Sequence, residues 1–409
     1  MKELLRDPRI RRLLLANITG SIGSGITIIA IPWLLIQREH GEQLYGYITI
    51  LSTLALFAFV PHYGSWLDRH SRKTAMLAAE VFGAVTTLSM TAWMLVTGET
   101  ATWQLLVLFF SGMLYYTLHF PAKFAFVQQV FERRHYQQLM GLLEIQGQTA
   151  AMLAGGLAAV LLDHVSFSTI LLIDGATYVI SWIVQRPLPY TSTHLEVDRP
   201  ATSVSADFFE GLRWLRDRPA FTTFILCTLA PFVAVMVGNY LFPIYVQNIL
   251  QAPAFVFGTG EMAFSVGAIA AGLVGPKILV RIPPATVALA MMGIFLLGLA
   301  LLSAVPTVAA FYFALILLGL GNAGSRVARG SVLLHVVPNA LMGRVNVVIG
   351  ALDRLVRTLM QFAAIAVVVR SDAALAFGGL LAFTGLALLL AWFTRAALPR
   401  SAASTATPS

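Results

Sequence analysis

The run "IGALDRLVRTLMQ", residues 349–361, places Asp353, Arg354 and Arg357 in a mostly apolar setting, within a chain that is only 11% charged. Asp353 and Arg357 stand four apart with the acid first, the favourable order for a helical ion pair. Arg354 cannot share that geometry, so one positive charge is left over. Such a set can bind an anionic group through arginine, beside a titratable or charge-balancing carboxylate. A structural ion-pair network that touches no substrate is the alternative. A second polar group lies in "GLLEIQGQTA", residues 141–150. There Glu144 is a candidate gate or proton site, or a salt-bridge partner of Lys123 or Arg344. Gln146 and Gln148 supply amide donors and acceptors for a polar substrate. Glu261 is a further proton candidate. His119 and His335 titrate in the right range to sense pH, though a lone histidine of this kind is more often packed. No metal-ligand cluster, phosphate-cradling glycine loop or nucleophile triad is present. Neither metal nor cofactor is expected, and neither an ATP-driven pump nor an enzyme.

The elements that must position these residues are set by composition. Of 409 residues, 58% are hydrophobic, with a mean hydropathy of +0.78. Soluble domains run at roughly 45–50% apolar and about 25% charged, so this is an integral membrane protein. About 20 apolar residues make a crossing helix. Twelve such runs fall near 13–36, 45–66, 74–96, 102–121, 139–161, 168–186, 221–246, 256–279, 285–304, 307–325, 343–369 and 373–394. The expected fold is therefore all-α. Counted from Gly343, the Asp353 group lies roughly 15–21 Å into its helix, near the midplane. An ionisable residue there normally faces a partner or a water-filled path.

The formal charge of +8 raises nucleic-acid binding as a reading. The basic residues, however, sit in short loops, which makes them topology signals. Every Lys and Arg except Arg38, Arg370, Arg354 and Arg357 falls at the N-terminus, in the loops after even-numbered spans, or in the tail. By the positive-inside rule both termini are cytoplasmic. The single Cys227 excludes intramolecular disulfides. A polar, Pro-bearing stretch at 187–219 divides the chain into halves at 1–186 and 220–395, with a tail at 396–409. Its "DFFEGLRWLRDR" reads as an amphipathic helix on the cytoplasmic face. "QQLMG" (137–141) and "NALMG" (339–343) open spans 5 and 11, an echo in keeping with duplication.

"GSWLDRHSRK", residues 64–73, concentrates charge between spans 2 and 3. With twelve spans in two halves, it resembles the loop motif G-x-L-x-D-R-x-G-R-K of the major facilitator superfamily. Gly64, Asp68, Arg69, Arg72 and Lys73 match, with Ser71 in place of the second Gly. "ILLIDGATYVIS", "EGLRWLRDRP" and "VVPNALMGRVNVV" are similar to the branch of enterobactin and macrolide exporters. The resemblance implies alternating access by rocking of two six-helix halves, and export of a siderophore or drug-like compound in exchange for protons. It implies a monomer in a bacterial cytoplasmic membrane, in contact with lipids. Asp68 would bridge to a neighbouring helix in one access state. Glu80 and Asp174 would be structural, in outer supporting spans. Two features depart from the family pattern. Ser24 stands where the branch often carries an acid, and the span-5 antiporter motif keeps only its small residues (Gly141, Ala150, Ala154, Gly155, Ala158, Ala159), without the Pro. A lysophospholipid flippase and a transport-inactive receptor or assembly partner are the rival readings.

Overall fold

The computed structural model describes residues 6–131, 136–190, 204–338 and 341–397, with some side chains inside the helices left undescribed. Among the described residues there are fourteen α-helices and no strand. They are α1 (Pro8–Ile36), α2 (Gly41–Arg69), α3 (Arg72–Thr97), α4 (Thr102–Val130), α5 (Tyr136–His164), α6 (Phe167–Gln185) and α7 (Val204–Arg216). Then come α8 (Pro219–Cys227), α9 (Ala230–Ile244), α10 (Ala254–Leu279), α11 (Pro284–Ala304), α12 (Val308–Val336), α13 (Met342–Arg370) and α14 (Ala373–Thr394). A π-helical turn, Tyr245–Ile249, extends α9. The chain divides into two compact units, Met1–Arg199 with Gln251–Met262, and Pro200–Leu250 with Ala263–Ser409.

Ten helical segments among the described residues are long and apolar enough to cross a membrane. Two further helices, α5 and α13, are 29 residues each, about 43 Å at 1.5 Å per residue. Within α5 the described apolar stretch is the shorter Gln146–Leu162, whereas α13 carries Arg344, Asp353, Arg354, Arg357 and Arg370. These are the helices that carry Glu144, Gln146 and Gln148, and Asp353, Arg354 and Arg357.

Three boundaries differ from the sequence reading. First, residues 64–73 are not a loop. Helix α2 continues to Arg69 and α3 begins at Arg72, so only His70 and Ser71 connect them. No helix breaker follows Gly64, and Ser71 caps α3 by accepting a hydrogen bond from the Thr74 amide at 3.2 Å. Second, span 7 is two helices. The chain breaks at Thr228–Leu229, just before Pro231, whose missing N–H and ring cannot continue a helix. Third, α12 runs eleven residues past the expected end at 325, because "RVARGSVLLHV" keeps helical geometry although its arginines lower the hydropathy.

The termini of the helices follow capping chemistry. Asp7 accepts from the Arg9 amide at 2.8 Å and pairs with its guanidinium at 2.7 Å. That hydrogen bond holds the Asp7 carboxyl below the usual aspartate range. The small residues of α5 allow close crossings within the first unit. A Cβ on Gly155 would lie 2.6 Å from the Gly258 carbonyl oxygen, and one on Gly258 would lie 2.7 Å from that of Gly155. In the second unit Gly267 of α10 and Gly319 of α12 meet each other's helix backbone, at Ile316 and Phe264. Such contact leaves no room for a side chain.

Candidate functional site

Two buried polar clusters are built, one in each unit. In the second unit Asp353 lies on α13 with only 9% of its surface exposed. Arg357 and Gln361 follow at four and eight residues on the same helical face, Arg357 half-buried and Gln361 buried. Asp353 Oδ1 and Arg357 Nε are both buried without a hydrogen-bond partner. The close i, i+4 pair expected from sequence is therefore not made. Asp353 instead sits in the field of Arg357, Arg329 and Arg354 together. Three cations around one carboxylate leave net positive charge in a poorly hydrated place, where it favours an anion.

Arg329 is the member that sequence reading missed, having assigned it to a cytoplasmic loop. It belongs to α12, where Asn322, Ser325 and Arg329 recur at three- and four-residue spacing. That spacing was the available signal. Arg329 Nη1 donates to the Thr228 carbonyl at 2.8 Å, the carbonyl at the break between α8 and α9. A guanidinium there satisfies an acceptor at a helix end and complements the negative end of the α8 dipole.

In the first unit Glu80 of α3 is fully buried. Its Oε1 accepts from Ser181 Oγ and Gln185 Nε2 of α6, each at 2.8 Å, and from Tyr115 Oη of α4 at 3.3 Å. His119 Nδ1 lies 3.4 Å from the same oxygen. His119 is thus a packed, buried residue. His335 is exposed, its ring bonded to the Ser331 carbonyl one turn back.

The remaining candidates are dispersed. Gln146 is buried with its Nε2 unpartnered, whereas Gln148 is half-buried and engaged. Glu261 is half-buried on α10, beside the Gly155 crossing. Gln146 lies nine residues before Gly155, about 14 Å along α5, so it and Glu261 belong to different levels of the unit. The side chains of Gly64, Asp68, Arg69 and Glu144 lie outside the described residues. Arg72 and Lys73 are described, and both make internal bonds. Arg72 Nη1 donates to the Ala125 carbonyl at 2.9 Å, and Lys73 Nζ to the Leu188 carbonyl at 2.6 Å. The two basic residues thus tie the start of α3 to α4 and to the segment after α6. Among the described residues no group of three or more His, Cys, Asp or Glu is placed to hold a metal.

The model of the Major Facilitator Superfamily matches residues 13–361. The chain belongs to that superfamily. It is a multi-pass membrane protein of a transporter superfamily. Transporters of this superfamily carry small-molecule substrates. The chain is similar to YfiS, an uncharacterized MFS-type transporter of Bacillus subtilis (strain 168), with 24% identity over 261 residues. That alignment covers 63% of this chain and 61% of YfiS. Similarity to macrolide efflux protein A of Streptococcus pyogenes is 22% over 255 residues, 62% of each chain. The matched region is thus about three fifths of the length of these relatives. In fold the protein is similar to a bacterial homologue of the iron transporter ferroportin in its inward-facing state. The TM-score is 0.71 at 15% identity, covering 96% of this chain and 99% of that one. A crystal structure of the nucleoside transporter NupG gives a TM-score of 0.73 at 13% identity, covering 96% and 100%. At these identities the likeness establishes the fold alone.

Proposed function

We propose that this transporter exports a small amphipathic or anionic compound, of siderophore or drug-like class, by alternating access and in exchange for protons. The observation that carries the reading is the α12–α13 cluster. Arg329, Arg354 and Arg357 all act electrostatically on the carboxylate of Asp353, and Arg357 Nε is buried with nothing to bond. An arginine that is desolvated and incompletely bonded is an anchor for a carboxylate, phosphate or catecholate oxygen. Similarity to a macrolide efflux protein supports the outward direction. On this reading residues 1–186 and 220–395 are the two working halves, joined by 187–219 and followed by the tail 396–409. The protein acts as a monomer in a bacterial cytoplasmic membrane, with both termini in the cytoplasm. Arg357 and Arg354 contact the substrate, Gln146 and Gln148 add polar contacts, and Asp353, Glu144 and Glu261 are the carboxylates available to exchange protons. Asp68, with Gly64, Arg69, Arg72 and Lys73, biases the balance between the access states.

Dye clearance from cells tests the reading. Cells expressing the wild type should clear carboxyfluorescein, an amphipathic anion, several-fold faster than cells without the protein. Arg357→Ala should lose most of that gain, and clearance of the cation ethidium should not change. Faster clearance of ethidium with no effect on carboxyfluorescein would contradict an anion site.

A further inference from the structure

The Glu80 cluster does more than join three helices. Its carboxylate is lopsided. Oε1 takes all the hydrogen bonds, from Ser181, Gln185 and Tyr115, while Oε2 is buried with no partner at all. A bare anionic oxygen in a dry interior is the costly arrangement, and it ceases to be one if Oε2 carries a proton. As a neutral acid, Glu80 keeps Oε1 as a carbonyl accepting three donors and turns Oε2 into a donor.

A place for that donor exists. A cavity of about 30 Å³ is lined by Asn17, Ser24, Glu80, Tyr116, His119 and Lys123, among others, and that volume holds a water. In the same lining, both amide atoms of Asn17 and the Nδ1 of His119 are buried without a hydrogen-bond partner. Asn17 is 4% exposed, Glu80 0% and His119 7%. Three side chains with unpartnered polar atoms that line one water-sized space account for one another if water fills it. Ser24 Oγ and Tyr116 Oη, 3.0 Å apart, extend the polar lining across α1 and α4.

We propose that Glu80 is a reversible proton-binding site, in which Oε2 takes a proton delivered through the Asn17–His119 cavity by its water. The step is carboxylate plus hydronium giving carboxylic acid plus water, with no other bond broken. The groups that face Glu80 set its balance. On α4 these are Tyr115, His119 and Lys123, on α6 Asp174 and Tyr178, and on α1 the neutral Asn17, Ser21 and Ser24. Lys123 is the nearby cation, Asp174 a second carboxylate, and His119, 3.4 Å from Oε1, a base near enough to share the proton. This site is additional to Asp353, Glu144 and Glu261. It rests on the proton-exchange reading only for its part in transport, because proton uptake itself needs no substrate.

The test is infrared difference spectroscopy on the full-length protein in nanodiscs, without substrate, as pH is stepped. A protonated-carboxyl carbonyl band should rise as pH falls, shift in D₂O, and vanish in Glu80→Gln. It should persist in Asp353→Asn and Glu261→Gln. Ser181→Ala removes one donor from Oε1, so the same band should move to higher wavenumber. That variant also decides the matter if Glu80→Gln does not fold, as judged by its melting curve. The absence of any pH-dependent band that Glu80→Gln removes or Ser181→Ala moves would overturn the proposal. So would a Glu80-dependent band of constant height across the pH range, which would mark a permanently protonated structural acid. A titrating Glu80 band in a protein whose flux ignores the pH gradient would uphold the site and refute the exchange.

Discussion

Arg329 shows how much one side chain settles at the residue scale. It bonds the carbonyl at the α8–α9 break, and its charge also reaches Asp353. A hydrogen bond to a charged group contributes about 1.5–3 kcal/mol. Arg329→Met should therefore lower stability in detergent by about that amount, read from the melting midpoint, with Arg329→Lys intermediate. No loss in the methionine variant would remove the capping role. The sequence made Asp353, Arg354 and Arg357 visible, since charge in an apolar run is conspicuous. It hid how they pair, because i, i+4 spacing permits contact without compelling it. Glu80 and His119 are 39 residues apart in sequence, and no periodicity joins residues on separate helices.

At the scale of elements, small residues were readable, and helix breaks and ends were not. The small-residue face of α5 gave the Gly155–Gly258 crossing, and Pro231 marks the break that makes α8 and α9 two helices. The end of α12 escaped because hydropathy reports where lipid stops, while a helix continues until its hydrogen bonding does. Two measurements belong here. Gly319→Val pushes a branched side chain into the α10 backbone near Phe264, and overpacking of this kind costs about 1–3 kcal/mol. A melting midpoint equal to the wild type would mean that the helices separate freely. At the start of α1, Asp7→Ala should cost about 0.5–2 kcal/mol at neutral pH. The folded Asp7 carboxyl is held below its ordinary range, so its stabilisation is present above that range and is lost as pH falls through the folded value. Wild type and Asp7→Ala should thus converge in acid. A difference that persists there would assign the effect to packing.

For the whole molecule, the pattern of apolar runs carried the all-helical membrane architecture, because apolar length is a physical requirement of a bilayer. The substrate was not legible in the same way, since it depends on a handful of side chains brought together from distant helices. Orientation is open to a direct check. Reporter fusions at Ser409 and within 190–205 should report the cytoplasm and one near Glu99 the outside, and a reversed pattern would overturn the topology. Asp68→Asn should abolish flux while expression stays near normal, because a transporter must visit both access states. Wild-type flux would leave that position as a topology signal.

The most direct measurement is uptake of carboxyfluorescein into proteoliposomes with an acidic lumen. A weak acid left to permeate collects on the alkaline side, so accumulation in the acidic lumen requires a carrier that exchanges it for outgoing protons. The expected result is uptake by the wild type that grows with lumen acidity, collapses with a protonophore, and falls several-fold in Arg357→Ala. Uptake no greater than in protein-free liposomes, or uptake indifferent to both the gradient and Arg357, would contradict anion export in exchange for protons.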